Sequence, residues 1–251
     1  MTLEDNIRNA AALMRKSKFT TAYTGAGISV ESGIPPFRGT DGLWSHYDPR
    51  NLEIDYFYEN PAESWAIIKE IFYDFFGKAK PNKAHLALAN LEKHQMIHRV
   101  ITQNIDNLHQ EAGSKEVYEF HGNSQRLVCV ECHAVYPHGE VSLDHLPPVC
   151  RQCGGLLKPD FVFFGESIPS IPLNAAYDAV SLSDVFLIIG TTGEVMPANQ
   201  FPVMAKSNGA KIIEINPSAS HYTDAITDIF LQGKAGEVME KLEKELLSPS
   251  L

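Results

Sequence analysis

Phe19-Thr-Thr-Ala-Tyr23, running directly into Thr24-Gly25-Ala26-Gly27, is the stretch on which the reading of the whole chain turns. Apolar and β-prone residues in an unbroken run read as a short buried strand, and a strand that feeds a glycine turn is the geometry of a nucleotide site. Glycines there leave out side chains, so that backbone N–H groups approach a pyrophosphate. The match is to the start of a dinucleotide fingerprint only. Val30 stands where G-x-G-x-x-G needs its third glycine, and no acidic residue closes a second strand about 20 residues further on. The same residues also read as a plain glycine turn followed by a proline-rich loop, which runs through Ser29 and Ser32-Gly33-Ile34-Pro35-Pro36 to Phe37-Arg38-Gly39. Arg38 weighs against that plainer reading, because a fixed cation in a glycine-rich loop suits phosphate.

Outward from this turn the chain alternates. Leu3 to Lys18 has apolar residues at helical spacing, and apolar strands recur at Val100-Ile101, Val185 to Ile189 and Lys211 to Ile215. Helix-like segments separate them at Lys83 to His94, Leu173 to Ser181 and Asn199 to Ser207. Strands alternating with helices imply an α/β fold with a Rossmann-like, doubly wound parallel sheet. Two stretches interrupt the pattern, an aromatic-rich helical insertion at 44–77 and a cysteine-bearing module at 125–158. Together they are expected to form a small domain beside a large one made of residues 1–43, 78–124 and 159–251.

The cysteine-bearing segment holds all four cysteines of the chain, as two pairs, Cys129-x-x-Cys132 and Cys150-x-x-Cys153, with seventeen residues between them. A C-x2-C pair on a tight turn aims two thiolates at one point, and two such pairs complete the tetrahedral shell of one Zn2+. Four protein ligands leave no open position, so such a metal is structural. Two disulfides or buried free thiols are the alternative, but neither needs paired spacing.

Other polar residues gather where open α/β sheets place ligands. Thr102-Gln103-Asn104-Ile105-Asp106-Asn107-Leu108-His109 follows the Val100-Ile101 strand, and its amides and carboxylate suit a carboxamide. Asn104 or Asp106 also serves as a plain helix N-cap. His121, between Phe120 and Gly122, is a candidate general base. Leu157 to Glu166 alternates as an extended segment that pairs with a peptide backbone by strand addition. Gly190-Thr191-Thr192-Gly193 and Asn216 end two further strands, where phosphate contacts and ordinary turn chemistry both fit.

Composition narrows the field. The formal net charge is -10 across 251 residues, which argues against a phosphate-backbone partner and favours cationic, lysine-rich ones. No apolar run approaches the roughly 20 residues of a membrane span, and the polar start lacks the pattern of a signal peptide. A cytoplasmic protein without membrane or direct nucleic-acid binding is expected.

Taken in order, Gly25-Ala-Gly-Ile-Ser29, Gly33-Ile-Pro-Pro-Phe-Arg-Gly39, Thr102-Gln-Asn-Ile-Asp106, His121-Gly122, the paired cysteines, Phe163-Phe-Gly-Glu166, Gly190-Thr191 and Asn216 resemble the sirtuins, NAD-dependent protein deacylases. The resemblance spans almost the whole chain. It implies NAD as co-substrate, one structural Zn2+ per chain and acyl-lysine proteins or peptides as partners. It further implies that Asp106 holds the nicotinamide carboxamide, that Asn104 orders the ribose and nearby water, and that His121 is general base on the ribose hydroxyls. Products are free lysine, nicotinamide and 2′-O-acyl-ADP-ribose. Gly25, Ala26, Gly27, Ser29, Phe37, Arg38, Gln103, Ile105, Gly190, Thr191, Thr192, Asn216, Lys234 and Ala235 are the further implied NAD contacts. Val162, Phe163, Phe164, Gly165 and Glu166 hold the peptide in this picture. Sirtuins that prefer succinyl-lysine resemble one another in a Tyr-x-x-Arg pair, and here that stretch reads Tyr73-Asp74-Phe75-Phe76. Acetyl and longer neutral acyl groups are therefore the expected substrates.

Two rival classes compete. A hydride-transferring dehydrogenase lacks its acidic ribose reader here. A non-enzymatic zinc-ribbon module explains the cysteines but leaves Asn104, Asp106 and His121 without a role.

Overall fold

The computed structural model describes residues 2–37 and 42–248. The decisive strand, β1 (Thr20–Thr24), is buried at all five positions and lies inside a six-stranded sheet. Its neighbours are β2 (Arg99–Thr102) on one side and β7 (Val185–Ile189) on the other, both parallel to it. The full order is β3-β2-β1-β7-β8-β9, with β3 (Val117–Glu119), β8 (Lys211–Asn216) and β9 (Ile229–Gln232), and every pair is parallel. Strands covered on both faces must be apolar throughout, which is why Val185–Ile189 reads as a continuous run without alternation.

Helices α1 (Leu3–Lys16), α4 (Lys83–Lys93) and α8 (Ala235–Leu247) cover one face, sharing a core with Ala22, Val100, Leu187 and Ile213. Helices α6 (Ser170–Leu182) and α7 (Gln200–Ser207) cover the other, around Tyr23, Phe186 and Ile188. The short α5 (Leu108–Ala112) leads from β2 to β3. Helix α1 stops two residues short of the expected Lys18. The Asp184 carboxylate accepts from the backbone N–H groups of Lys18 (2.8 Å) and Phe19 (3.2 Å), which holds the chain extended into β1.

A second, antiparallel sheet has the order β5-β4-β6, from β4 (Gly122–Cys129), β5 (Val135–Pro137) and β6 (Leu157–Phe161). The helical insertion packs on it through α2 (Ile54–Glu59), α3 (Pro61–Ile68) and a π-helical turn at Lys69–Phe75. Trp65, Phe57 and Ile68 share one core with Leu127, Cys129 and Leu157, and the Trp65 indole N–H donates to the Leu157 carbonyl at 2.8 Å. The bounds expected after residues 124 and 158 cut through β4 and β6. The pairing of β4 with β6 extends from Cys129 opposite Leu157 to Gly122 opposite Phe161, with a shift of register between Gly122 and Leu127.

The connections run one way from β1 to β2 and β3, and the other way from β7 to β8 and β9, so the order reverses between β1 and β7. That is where open α/β sheets bind ligands. Here the two strand-end loops meet backbone to backbone. Gly25 N–H donates to the Ile189 carbonyl (3.0 Å) and Gly27 N–H to that of Gly190 (2.8 Å). A Cβ on Gly27 would lie 2.6 Å from Gly190 Cα, and a Cβ on Gly190, whose φ is +65, would lie 2.3 Å from Ile28 N. Gly27→Ala is therefore expected to destabilise the fold by about 1–3 kcal/mol, as overpacking of a tight contact does. Urea unfolding measures this directly, and an unchanged midpoint and slope would show that the loops separate freely.

Candidate active site

Past the zipped glycines the chain forms a 3-10 helix, Ala26–Ser32, where the sequence reads as an irregular loop. It closes on Gly33 in the left-handed region at φ 88. The N–H groups of Gly25 and Gly27 are donated to the Ile189 and Gly190 carbonyls, so these glycines serve the close approach of the two loops. The helix carries Ser29 inward, 1% exposed, beneath the end of β2.

Ser29 joins the residues that follow β2. Its hydroxyl donates to Asp106 Oδ2 (2.7 Å) and accepts from Asn104 Nδ2 (3.1 Å). Asp106 Oδ1 accepts from the Leu108 N–H at 3.0 Å, so the aspartate also braces the start of α5. Burial pushes the Asp106 carboxyl above the usual range, and the Ser29, Leu108 and Asn104 donors act against it. With Nδ2 given to Ser29, Asn104 keeps its Oδ1 acceptor for a ligand.

Two buried histidines that the sequence reading passes over lie behind this set. The Asn82 N–H donates to His85 Nδ1 at 3.3 Å, which leaves the His85 hydrogen on Nε2, 3.5 Å from Ser29 Oγ. Thr24 Oγ1 gives its one proton to Thr102 Oγ1 (2.8 Å), so His109 Nε2, 2.9 Å away, is the donor to Thr24. Thr102 Oγ1 in turn accepts the Asn104 N–H at 3.1 Å. Burial pushes His85 down to about 4 and His109 well below its ordinary value, so both rings are neutral. The signal in the sequence is Asn82 three residues before His85, a helix-capping pattern, since both Asn82 and His85 cap α4.

His121 sits where the two sheets meet, between the end of β3 and the start of β4. Its Nδ1 lies 3.0 Å from the Gln103 carbonyl oxygen. A carbonyl only accepts, so Nδ1 carries the hydrogen and the neutral ring presents a lone pair at Nε2. Burial lowers the His121 pKa and the Gln103 bond partly opposes this, which favours the neutral ring at pH 7. Phe120, fully buried against Phe201, meets the His121 ring edge to face. The Val162 N–H binds the His121 carbonyl at 2.8 Å.

The remaining expected contacts divide. Gln103 Nε2 reaches Thr191 Oγ1 (3.2 Å), and Asn216 Nδ2 reaches the Thr191 carbonyl (3.1 Å), which brings Thr191, Thr192 and Asn216 to the same sheet edge. Lys234 is the residue before α8, and the first turn of that helix, starting at Ala235, is capped by Glu31, whose Oε2 accepts the Gly236 N–H at 2.6 Å. The Phe37 ring lies tilted against Trp44, centroids 5.4 Å apart, and Trp44 reaches Phe164 at 6.1 Å. Arg38 lies outside the described residues.

The segment expected to add a strand is largely engaged. Phe164 pairs with Leu52 and Ile54, and Glu166 binds the Phe163 N–H (2.7 Å) and Lys158 Nζ (2.9 Å). The Phe163 side chain is buried, so only Val162, Gly165 and the exposed Phe164 ring face outward here. Phe76 lines a small cavity with Phe72, Gly77, Ile105, Asp106, Ser124 and Gln125. Tyr73 does not: its hydroxyl donates to the Ser124 carbonyl (2.9 Å) and its ring stacks on Trp65 and His138. A larger groove, among Leu86, Lys93 and His98, lies at the opposite, amino-terminal edge of the sheet and gathers none of these residues.

The four cysteine sulfurs lie within 4.8 Å of one another, and all four are free thiols. Cys129 and Cys153 are 3.5 Å apart, Cys132 and Cys150 3.6 Å. A Zn–S bond of about 2.3 Å in a tetrahedron gives S···S near 3.8 Å, so the set fits one Zn2+ and is far from disulfide length. Backbone N–H groups of Gln152 and Gly155 point at Cys150 and Cys153 Sγ, each at 3.4 Å, as thiolates need. A Cβ on Gly155 would meet Glu131 at 2.7 Å and Cys129 Sγ at 3.1 Å, so only glycine fits beside the thiols.

Comparison with known proteins agrees with this arrangement. The model of the Sir2 family matches residues 25–197. NAD-dependent protein deacylase 2 of Pyrobaculum aerophilum is 45% identical over 242 residues, 95% of each chain. A solved Sir2 homolog–NAD complex is 40% identical, with 95% of this chain and 93% of that chain covered at a TM-score of 0.87. A Sir2 variant holding a deacetylated p53 peptide and 3′-O-acetyl-ADP-ribose is 36% identical, covering 95% of this chain and 98% of that chain at a TM-score of 0.90.

Two outcomes follow from the site. Because burial lowers the His121 pKa, the ring stays deprotonated below the ordinary histidine value, and a reaction that uses it as base loses rate only as acid reaches the shifted pKa. The acid limb of kcat/KM should therefore lie below about pH 6.5; a limb above about pH 7 contradicts the lowered value. Elemental analysis should find about one zinc per chain, and chelation should lower both stability and activity. Full stability of a metal-free protein would remove zinc from the fold.

Proposed function

The chain belongs to the Sir2 family, and from that premise we propose that it is an NAD-dependent protein-lysine deacylase, with acyl-lysine peptide and NAD as co-substrates. NAD, when bound, would supply the ribose that receives the acyl group; one water is consumed as nicotinamide leaves, and the products are 2′-O-acyl-ADP-ribose and free lysine. The observation that carries this reading is the wiring of His121. Its Nδ1 hydrogen is held by the Gln103 carbonyl, its Nε2 lone pair is free of that bond, and Asn104 and Asp106 follow Gln103 directly in the chain.

In this reading His121 Nε2 takes the proton from a ribose hydroxyl. Asn104 Oδ1, fixed by the bond from Nδ2 to Ser29, orients the ribose and a water, and Asp106 holds the carboxamide. Gly25, Ala26, Gly27, Phe37, Arg38, Ile105, Gly190, Thr191, Thr192, Asn216, Lys234 and Ala235 complete the NAD surroundings. The peptide lies against Val162, Gly165 and the Phe164 ring, with Phe163 and Glu166 shaping the segment from within. The cysteine-held zinc carries no step; it fixes the small sheet whose first strand begins one residue after His121. Free, paired thiols and an excess of acidic residues support a cytoplasmic enzyme acting on proteins and not on nucleic acid.

The acyl preference follows from the cavity around Phe76. Among the described residues its lining has two phenylalanines and Ile105 but no cation, and Asp106 adds an acidic group. A carboxylate placed there is unpaired, at a cost of several kcal/mol, whereas neutral methylenes gain about 0.8 kcal/mol each on burial. Acetyl and longer neutral acyl-lysines are thus the substrates, and kcat/KM on succinyl peptide should be at least about 100-fold lower. A succinyl preference would overturn this assignment of the cavity.

The activity itself is tested by incubating acetyl-lysine peptide with NAD and identifying products by mass spectrometry. O-acetyl-ADP-ribose with nicotinamide is expected. NADH formation, or no turnover of NAD, would reject the deacylase reading. His121→Ala should lower turnover by about 100- to 10,000-fold while the fold persists. A folded variant with near wild-type turnover would take His121 out of the mechanism.

A further inference from the structure

We propose that Glu214 is a positioning residue for NAD, acting through Asn216 and the Thr191–Gly193 loop, an inference that deepens the NAD reading and rests on it. Glu214 lies within β8, two residues before the strand ends, and is 0% exposed. A carboxylate in a core is expensive unless its oxygens are fully satisfied. Here Oε1 accepts from Asn216 Nδ2 (2.9 Å), Ser220 Oγ (2.5 Å) and Thr223 Oγ1 (3.1 Å). Oε2 accepts from Thr223 Oγ1 (3.0 Å) and Thr227 Oγ1 (2.7 Å). These partners are one amide and three hydroxyls, all neutral donors, so the carboxylate organises the loop after β8 and answers no buried cation among them.

That organisation reaches the NAD loop by three routes. Asn216 gives its second Nδ2 hydrogen to the Thr191 carbonyl (3.1 Å), so both its hydrogens are engaged and Oδ1 is left to face a ligand. His221 N–H, inside the Glu214-bound loop, donates to the Thr192 carbonyl at 3.1 Å. Tyr222, whose N–H binds Ser220 Oγ (3.0 Å), packs its ring so closely on Gly193 that a Cβ there would lie 2.8 Å away. One carboxylate thus sets the amide orientation of Asn216 and the height of the loop that ends β7. Neither feature touches the peptide segment at 162–166, so NAD and peptide should respond differently.

The test compares wild type, Glu214→Gln and Glu214→Ala in steady-state kinetics and in calorimetric titration with ADP-ribose. Glu214→Ala should raise the KM for NAD and the Kd for ADP-ribose by about 10-fold or more, since it leaves several buried donors without an acceptor. The KM for acetyl peptide should stay within about twofold, a split that simple loss of folded protein does not produce. Glu214→Gln keeps one oxygen for Asn216 and should recover most of the loss, because the threonine hydroxyls can turn to accept from its amide. Should Glu214→Ala fail to fold, Ser220→Ala removes one donor to Glu214 together with the acceptor of the Tyr222 N–H, and should raise the KM for NAD by about fivefold. Unchanged NAD and ADP-ribose binding in the folded variants, or equal rises for both substrates, would overturn the inference. Failure of wild type to bind ADP-ribose would instead overturn the NAD reading beneath it.

Discussion

Gln103 ties three strand ends together, and the site depends on those bonds holding at once. Its N–H donates to the Thr24 carbonyl at the end of β1 (2.9 Å), its side-chain amide to Thr191 Oγ1 beyond β7 (3.2 Å), and its carbonyl receives His121 Nδ1–H (3.0 Å). The last bond decides the chemistry. It selects the tautomer whose free nitrogen accepts a proton, and it fixes the ring in the cleft between the sheets. A single residue at the carboxyl edge of a parallel sheet therefore holds the end of β1, the loop after β7 and the His121 ring together.

Around it the protein keeps charges few and donors directed. His85 and His109 are held neutral by burial, and each gives its hydrogen toward a hydroxyl on the path to Asn104 and Asp106. Two branches result: His85 and Asn104 Nδ2 lead through Ser29 to the Asp106 carboxylate, while His109 leads through Thr24 to Thr102 Oγ1, which also accepts the Asn104 N–H. The second sheet secures His121 from the other side, through the Val162 N–H and through Gly122, where a Cβ would lie 2.3 Å from the Asp160 carbonyl. The four cysteines that fit one Zn2+ lie at the far end of that sheet, at the end of β4.

Much of this was legible in the chain, for identifiable reasons. Val185–Ile189 and the Lys83 helix carry strong local patterns, and paired C-x2-C spacing encodes a tetrahedron almost by itself. The edge strands Val117–Glu119 and Ile229–Gln232 are three and four residues long, too short for a period to show. The terminal helix Ala235–Leu247 has a clear apolar stripe at Val238, Met239, Leu242 and Leu246, and the reading simply does not mark it. Contacts between distant residues were the true gap. The close approach of Gly25 and Gly27 to Gly190, and the bond from the Tyr73 hydroxyl to the Ser124 carbonyl, join positions far apart in sequence that no local pattern announces. Glu214 looks like any polar strand residue until the loop that folds over it is placed.

The central claim is that His121 is a neutral base whose Nδ1 carries the hydrogen. Two-dimensional 1H–15N NMR of the histidine rings across a pH titration measures tautomer and pKa together. The account predicts an Nδ1–H tautomer for His121 and a midpoint below the ordinary value of about 6.5. An Nε2–H tautomer, or a midpoint above about 7, would contradict it.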